Sequence, residues 1–392
     1  MSVHYSVEEM LARLVGFPTV SSDSNLELIH FVRDYLAGHG VDSRLVPNED
    51  GTKANLYAQI GPDQPGGVIL SGHTDVVPVE GQPWSTDPFT LTEKDGRLYG
   101  RGAADMKGFE ACVLAAVPQM LDAGLKRPIQ IALSYDEEVG CLGAPFMIKE
   151  MRETLPPASA VIVGEPTMME VVSRHKGVIR IITDVRGHEV HSAQIHRGVA
   201  ATMVAARLTV WAEDQMVAAK ARAEAEPDPV AGLFEPPYTT WHVGQINGGT
   251  APNITAKDCR FWLDIRNMPG EDQGALITAY EAEVARQLAE MRQVRAETDI
   301  RVTLHSQTPG CRKEPDQTAE AERLARSLTG DNGEHVVAYG TEAGQFQDAG
   351  YSAIICGPGD IAQAHQADEF IARSQLTEGA RFVSRLIDRL AA

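Results

Sequence analysis

The sequence predicts an α/β protein carrying an inserted βαββαβ layer, and three observations lead there. Short apolar runs (Asn55 to Ile60, Gly67 to Ser71, Ile129 to Ser134, Ala160 to Val163) alternate with stretches whose apolar residues recur at helical spacing. Around Gly177 the texture changes to strand, helix, two strands, helix, strand, and from about Thr308 it reverts. A chain of 392 residues also exceeds what one hydrophobic core usually serves. The expected domains are 1–177 with 307–392, and 178–306 between them.

Taken in order, Val7 to about Gly40 reads as helical, and the four apolar runs read as strands of one sheet. Asp105 to Leu121 reads as a helix beginning at the end of a loop, bent or shortened by Pro118. In the insertion, GVIRIITDVRG from Gly177 is a strand and Val199 to about Ala225 a long helix. Thr240 to Ile246 and Asp258 to Ile265 are strands, Gly274 to about Val294 a helix, and Ile300 to His305 the closing strand. The Ala/Glu-rich piece Lys220 to Glu226 reads as a helix end rather than a linker.

Lys plus Arg (35) against Asp plus Glu (54) leaves a net charge of −19, which repels phosphate backbones and argues against a nucleic-acid partner. Five scattered cysteines without a C-x-x-C pair argue against a disulfide framework and a thiolate zinc site. The N-terminus lacks a basic start followed by an apolar stretch, and no run reaches the ~18 apolar residues of a membrane span. A cytoplasmic location is the expectation.

Histidines and carboxylates sit where predicted strands end, which is where α/β sheets open a common crevice. His73 follows Val68-Ile69-Leu70, with Asp75 placed to accept the proton of its second ring nitrogen. Alone, such a pair is more often a hydrogen-bonded structural feature than a metal ligand. Asp105 alone would be a helix-start residue favoured by the dipole. Glu137 and Glu138 with Asp136 make three consecutive carboxylates after a buried-looking strand, and such charges raise one another's pKa unless a cation sits among them. Both glutamates can serve one centre only if the chain turns after Tyr135, as Gly140 and Gly143 permit. Glu165, before Pro166, could be a surface carboxylate, and His365, after the tight loop Gly357-Pro358-Gly359, a capping histidine. Together they supply imidazole and carboxylate ligands suited to Zn²⁺ or its neighbours.

The motifs G-H-T-D-V-V-P, G-R-G-A-A-D-M-K-G, E-E-V-G, G-E-P-T and A-H-Q-A-D-E, in this order, resemble the zinc amidohydrolase and exopeptidase family. That family includes acetylornithine deacetylase, succinyl-diaminopimelate desuccinylase, aminoacylase and glutamate carboxypeptidase. The resemblance implies a zinc-exopeptidase-like catalytic domain with a mixed sheet flanked by helices, plus a ferredoxin-like lid domain. It implies two Zn²⁺ ions, replaceable by Co²⁺ or Mn²⁺, bridged by Asp105, with His73 and Glu165 completing one site and Glu138 and His365 the other. Glu137 is then the general base and Asp75 the orienter of His73. A cis peptide is implied at Asp105-Met106, an oxyanion donor at His191, although His188 stands close by, and a homodimer formed through the lid.

Arg266 and Asn253 match lid positions that hold a substrate carboxylate in the family, a task suited to the two parallel donors of a guanidinium. Ser173-Arg174-His175-Lys176-Gly177-Val178 and Gly340-Thr341-Glu342-Ala343 resemble the acetylornithine deacetylase branch, with Thr341 and Glu342 at the substrate. The expected reaction is therefore conversion of the small molecule N-acetyl-L-ornithine to L-ornithine and acetate, a step of arginine biosynthesis. A desuccinylase, with Lys176 or Arg174 meeting a second carboxylate, is the alternative, followed by a broader aminoacylase or dipeptidase. A non-catalytic binding protein on the same scaffold would be expected to lose the base or a ligand, and none is missing.

Overall fold

A computed structural model describes residues 3–392. The chain divides into two units, one running to Arg174 and including Cys311–His335 and Thr341–Ala392, the other His175–Gly310 with Val336–Gly340. The first unit begins with α1 (Val7–Val15), α2 (Leu26–Gly38), β1 (Ser43–Pro47), β2 (Ala54–Ile60), β3 (Gly67–His73), β4 (Thr92–Lys94) and β5 (Arg97–Tyr99). It continues through α3 (Lys107–Ala115), α4 (Val117–Asp122), β6 (Ile129–Ser134), α5 (Ala144–Thr154), β7 (Ala158–Val163) and β8 (Val172–His175). The second unit holds β9 (Gly177–Arg186), α6 (Ala201–Ala225), β10 (Thr240–Gly248), β11 (Asp258–Asn267), α7 (Gln273–Val294) and β12 (Asp299–Thr308). The chain closes with α8 (Glu320–Thr329), β13 (His335–Val337), α9 (Ala343–Asp348), β14 (Ala353–Ile355), β15 (Phe370–Ala372) and α10 (Arg373–Ala391).

An eight-stranded mixed sheet, ordered β1-β2-β6-β3-β7-β14-β8-β13, organises the first unit. β3 pairs parallel with both β6 and β7, and every residue of β3 and β6 is buried, as expected of parallel strands covered on both faces. Helices flank the sheet. α10 turns Leu376, Phe382, Val383, Leu386, Ile387 and Leu390 inward, and each such side chain contributes about 1.5–3 kcal/mol of burial. The helix expected from Asp105 is two helices, because Pro118 falls in the first turn of α4, where its missing N–H leaves no bond unmade. The Asp105-Met106 peptide is cis. A small sheet, β15-β5-β4, built from three-residue strands, stands apart from the main one.

In the second unit the sheet order is β10-β11-β9-β12, antiparallel throughout. Numbered within the unit this is 2-3-1-4, the ferredoxin-like arrangement that strand, helix, two strands, helix, strand predicts. α6 and α7 pack on the sheet over a core that includes Leu208, Phe261, Ile265 and Tyr280. Among the described residues no helix is long and apolar enough to cross a membrane.

Candidate metal centre

β6, β3 and β7 are adjacent and parallel, and neighbouring strands lie about 4.8 Å apart, so the segments that leave their C-terminal ends emerge side by side. His73 ends β3, Glu137 and Glu138 follow β6, and Glu165 follows β7. Asp105 immediately precedes Met106 and α3, and His365 stands in the loop between β14 and β15. His73 Nε2 lies 3.1 Å from Asp105 Oδ1 and 3.9 Å from Glu165 Oε1. His365 Nε2 lies 3.4 Å from Asp105 Oδ2 and 2.9 Å from Glu138 Oε2. The two oxygens of one carboxylate therefore face two different imidazoles. Ligand atoms of His73, Asp105 and Glu138 lie within 4.8 Å of one another, as do those of His73, Glu137 and Glu165.

The turn that brings both glutamates to one centre is made by Asp136 at φ 57° and Gly140 at φ 128°, with Lys53 Nζ bound to Asp136 Oδ1 at 2.5 Å. Asp75 holds that turn. Its carboxylate accepts the main-chain N–H groups of Glu137 at 3.0 Å and Glu138 at 3.3 Å, and the Ser21 hydroxyl at 2.6 Å. This corrects the expectation that the Asp75 carboxylate orients His73. His73 Nδ1 instead lies 2.9 Å from the main-chain oxygen of Asp75, with the nearest carboxylate oxygen at 3.8 Å. A carbonyl can only accept, so Nδ1 carries the proton and Nε2 is left facing Asp105 and Glu165.

Burial pushes the Glu137 carboxyl up to about 8 and Glu138 to about 7, neighbouring carboxylates adding to the shift, and Glu165 rises well above its ordinary range for the same reasons. For His73, burial acts downward but is outweighed by the Asp105 hydrogen bond and the charges of Glu165 and Glu137, which hold the imidazole well above its usual value. Hydrogen bonds to Asp105 and Glu138 carry His365 to about 10. Against burial, the hydrogen bonds from His365 and His73 hold Asp105 below the ordinary carboxylate range. Such crowding of buried acids is what a divalent cation relieves. The oxygen and imidazole donors suit zinc and its neighbours, so the residues present fit a metal.

Thr341 and Glu342 belong to the same unit and are buried. Glu342 accepts from the hydroxyls of Ser134 and Ser71. Burial pushes it up to about 7. His191, Asn253 and Arg266 belong to the second unit. There His191 is exposed, its Nδ1 accepting from Ala193 N, and Ser192 N donates to the main-chain oxygen of Asn253 at 2.8 Å. Arg266 grips Asp264 through Nε at 2.7 Å and Nη2 at 3.2 Å. Two residues at the first unit's centre escaped sequence reasoning, Arg101 and Glu369, each 1% exposed and paired at 2.8 Å. Both lie inside recognisable motifs, and a charged residue embedded there was the available signal.

Residues 69–389 match Peptidase family M20/M25/M40. The chain belongs to this family. Among its relatives, the acetylornithine deacetylase of Myxococcus xanthus is 36% identical over 96% of this chain and 95% of the relative. That of Pasteurella multocida (strain Pm70) is 33% identical over 97% of this chain and 96% of the relative. The M20 family metallo-carboxypeptidase Sso-CP2 from Sulfolobus solfataricus has the same fold, with a TM-score of 0.78 at 17% identity, covering 99% of both chains. Human carnosine dipeptidase 1 superposes with a TM-score of 0.68 at 18% identity, covering 98% of this chain and 96% of the other. This M20-family chain is a metal-dependent hydrolase of amide bonds.

Proposed function

We propose that this M20-family chain deacetylates N-acetyl-L-ornithine, using two divalent cations, zinc first among them, held by His73, Asp105, Glu138, Glu165 and His365. The observation that carries the two-cation reading is the Asp105 carboxylate, one oxygen toward His73 and the other toward His365. Bound there, the cations supply Lewis acidity that polarises the amide carbonyl and acidifies water. Glu137 takes one proton from the water whose oxygen attacks the acetyl carbon. As the carbon–nitrogen bond breaks, Glu137 returns that proton to the departing amine, so that acetate and L-ornithine leave. His191 donates to the oxyanion, and Arg266 with Asn253 holds the substrate α-carboxylate. The second unit then acts as a lid.

The acyl preference rests on the curated relatives and on where two cations are spent. Lys176 Nζ donates to the main-chain oxygens of Pro236 and Tyr238, each at 2.7 Å, and Arg174 Nη1 binds Glu334 at 3.3 Å. Lys176, 1% exposed, is not left for the second carboxylate of a succinyl group, whereas Arg174, like Arg266, would have to exchange its carboxylate partner for the substrate's. The test is a panel of N-acetyl and N-succinyl amino acids on the zinc-loaded enzyme, with N-acetyl-L-ornithine expected to give the highest kcat/KM. A Glu137→Gln variant is expected to keep its metal and lose ~10²- to 10⁴-fold in turnover. Preference for a succinyl substrate would overturn the acyl reading, and an active variant would remove Glu137 from the role of base.

The homodimer reading rests on α6, which buries Val204, Ala205, Leu208 and Ala212 yet leaves Met203, Val210 and Val217 more than half exposed.

A further inference from the structure

The ligands proposed for the two cations are held in place by different means. His73 is the last residue of β3, and Glu165 stands two residues beyond β7, directly after Gly164, whose N–H donates to the main-chain oxygen of Ser71 in β3 at 3.0 Å. His365 has no such support. It lies outside any helix or strand, at φ 64°, with its side chain 54% exposed.

What holds this loop is a set of side-chain hydrogen bonds centred on Arg101 and Glu369. Glu369 Oε2 accepts from Arg101 Nη1 at 2.8 Å and Gly102 N at 3.0 Å, and Oε1 accepts from Ala104 N at 2.9 Å and Asp105 N at 3.1 Å. Arg101 donates from Nη1 to the main-chain oxygen of Gln366 at 3.2 Å and from Nη2 to Gln82 Oε1 at 2.5 Å. Gln82 Nε2 in turn donates to the main-chain oxygen of His365 at 2.9 Å. Both charged members are fully buried, and the arginine lies over the Trp84 ring at 5.0 Å from its centroid. One network thus grips the backbone of His365, of its neighbour Gln366 and of Asp105, and among these contacts none reaches His73 or Glu165.

We propose that Arg101, Glu369 and Gln82 are positioning residues for one half of the metal centre. They set the cation held by His365, Glu138 and Asp105, and leave the cation held by His73, Glu165 and Asp105 largely to the sheet. Hydrogen bonds of this outer kind alter metal affinity by ~10- to 100-fold in other sites. Here the effect is one-sided, because the network bonds the backbone at His365 and Gln366, on one side of Asp105, and makes no contact with His73 or Glu165 on the other. The inference rests on the two-cation reading of the proposed function.

The experiment titrates the metal-free protein with zinc chloride against a chelator of known affinity, following each equivalent separately. Wild type is expected to bind two equivalents, and His365→Ala to weaken one of them, which identifies it. Gln82→Leu is expected to weaken that same equivalent ~10-fold or more while the other keeps its affinity. Its activity should fall at limiting zinc and recover at saturating zinc, a response that general damage to the fold does not give. Glu369→Gln, which places an amide group among four donors, one of them Asp105 N, is expected to weaken that equivalent more strongly and, through the shared Asp105, the other to a lesser degree. Should that buried variant fail to fold, Gln82→Leu decides alone, since Gln82 is only half-buried. Equal weakening of both equivalents, no weakening, or weakening of the equivalent that His365→Ala spares would overturn the inference. A wild type that binds a single equivalent would overturn the two-cation reading, and the inference with it.

Discussion

At the scale of single residues, the centre concentrates carboxyl groups whose folded values lie above their ordinary one. Burial first, and neighbouring charge second, carry Glu137 to about 8 and Glu138 to about 7 from an ordinary 4.5. Between those values the folded metal-free chain binds more protons than the unfolded chain, so its stability falls as pH rises. The contribution is full below about pH 4.5 and gone above about 8. His365, raised to about 10 by its bonds to Asp105 and Glu138, adds stability that is full below its ordinary 6.5 and lost as pH climbs through 10. Cations that take the place of these protons remove the dependence. The melting temperature of chelator-treated protein is therefore expected to drop between about pH 5 and about 8, while that of the zinc-loaded protein changes less. Parallel curves would mean that the crowded acids do not report the metal. Residue types at strand ends were legible in the sequence, because His73, Glu137, Glu138 and Glu165 each follow an apolar run. The use of Asp75 was not, since spacing cannot tell a main-chain acceptor from the carboxylate of the same residue.

At the scale of elements, the centre depends on how closely β7 and α3 approach. A Cβ at Gly164, the residue before Glu165, would lie 2.0 Å from the Phe109 ring, which belongs to the helix that follows Asp105. A single methyl group there forces apart the two segments that carry Glu165 and Asp105. Gly164→Ala is expected to cost about 1–3 kcal/mol of stability, as overpacking does, and to reduce zinc retained after gel filtration, measured beside a denaturant melt. An unchanged melt with full zinc content would show that α3 yields without consequence. The periodicities of α6, α7 and β9 were legible because each is long enough to repeat its pattern. β4, β5 and β15 have three residues apiece, too few to establish alternation. β4 and β5 pair locally, but β15 joins β5 across some 270 residues, as Glu369 joins Arg101, and no local window contains both partners of those two pairs.

At the scale of the whole molecule, α6 has an apolar side on its own core and another that its own unit does not cover. Met203, Val210 and Val217 recur every seventh residue and therefore share one stripe along the helix. Their exposures of 55%, 54% and 57% leave that stripe to water in a single chain. A second copy offers the same stripe, and two-fold apposition buries both at once. Lysine at these positions places like charges face to face without entering the core formed by Leu208 and its neighbours. On the proposed homodimer, the unaltered chain is expected to sediment as a dimer and the variant Val210→Lys with Val217→Lys as a monomer at the same concentration, with its circular dichroism unchanged. If His191 reaches the centre of the opposite copy, that monomer keeps its zinc and loses turnover. A monomer with full turnover would place His191 in the service of its own chain, and a variant that still sediments as a dimer would move the interface away from α6.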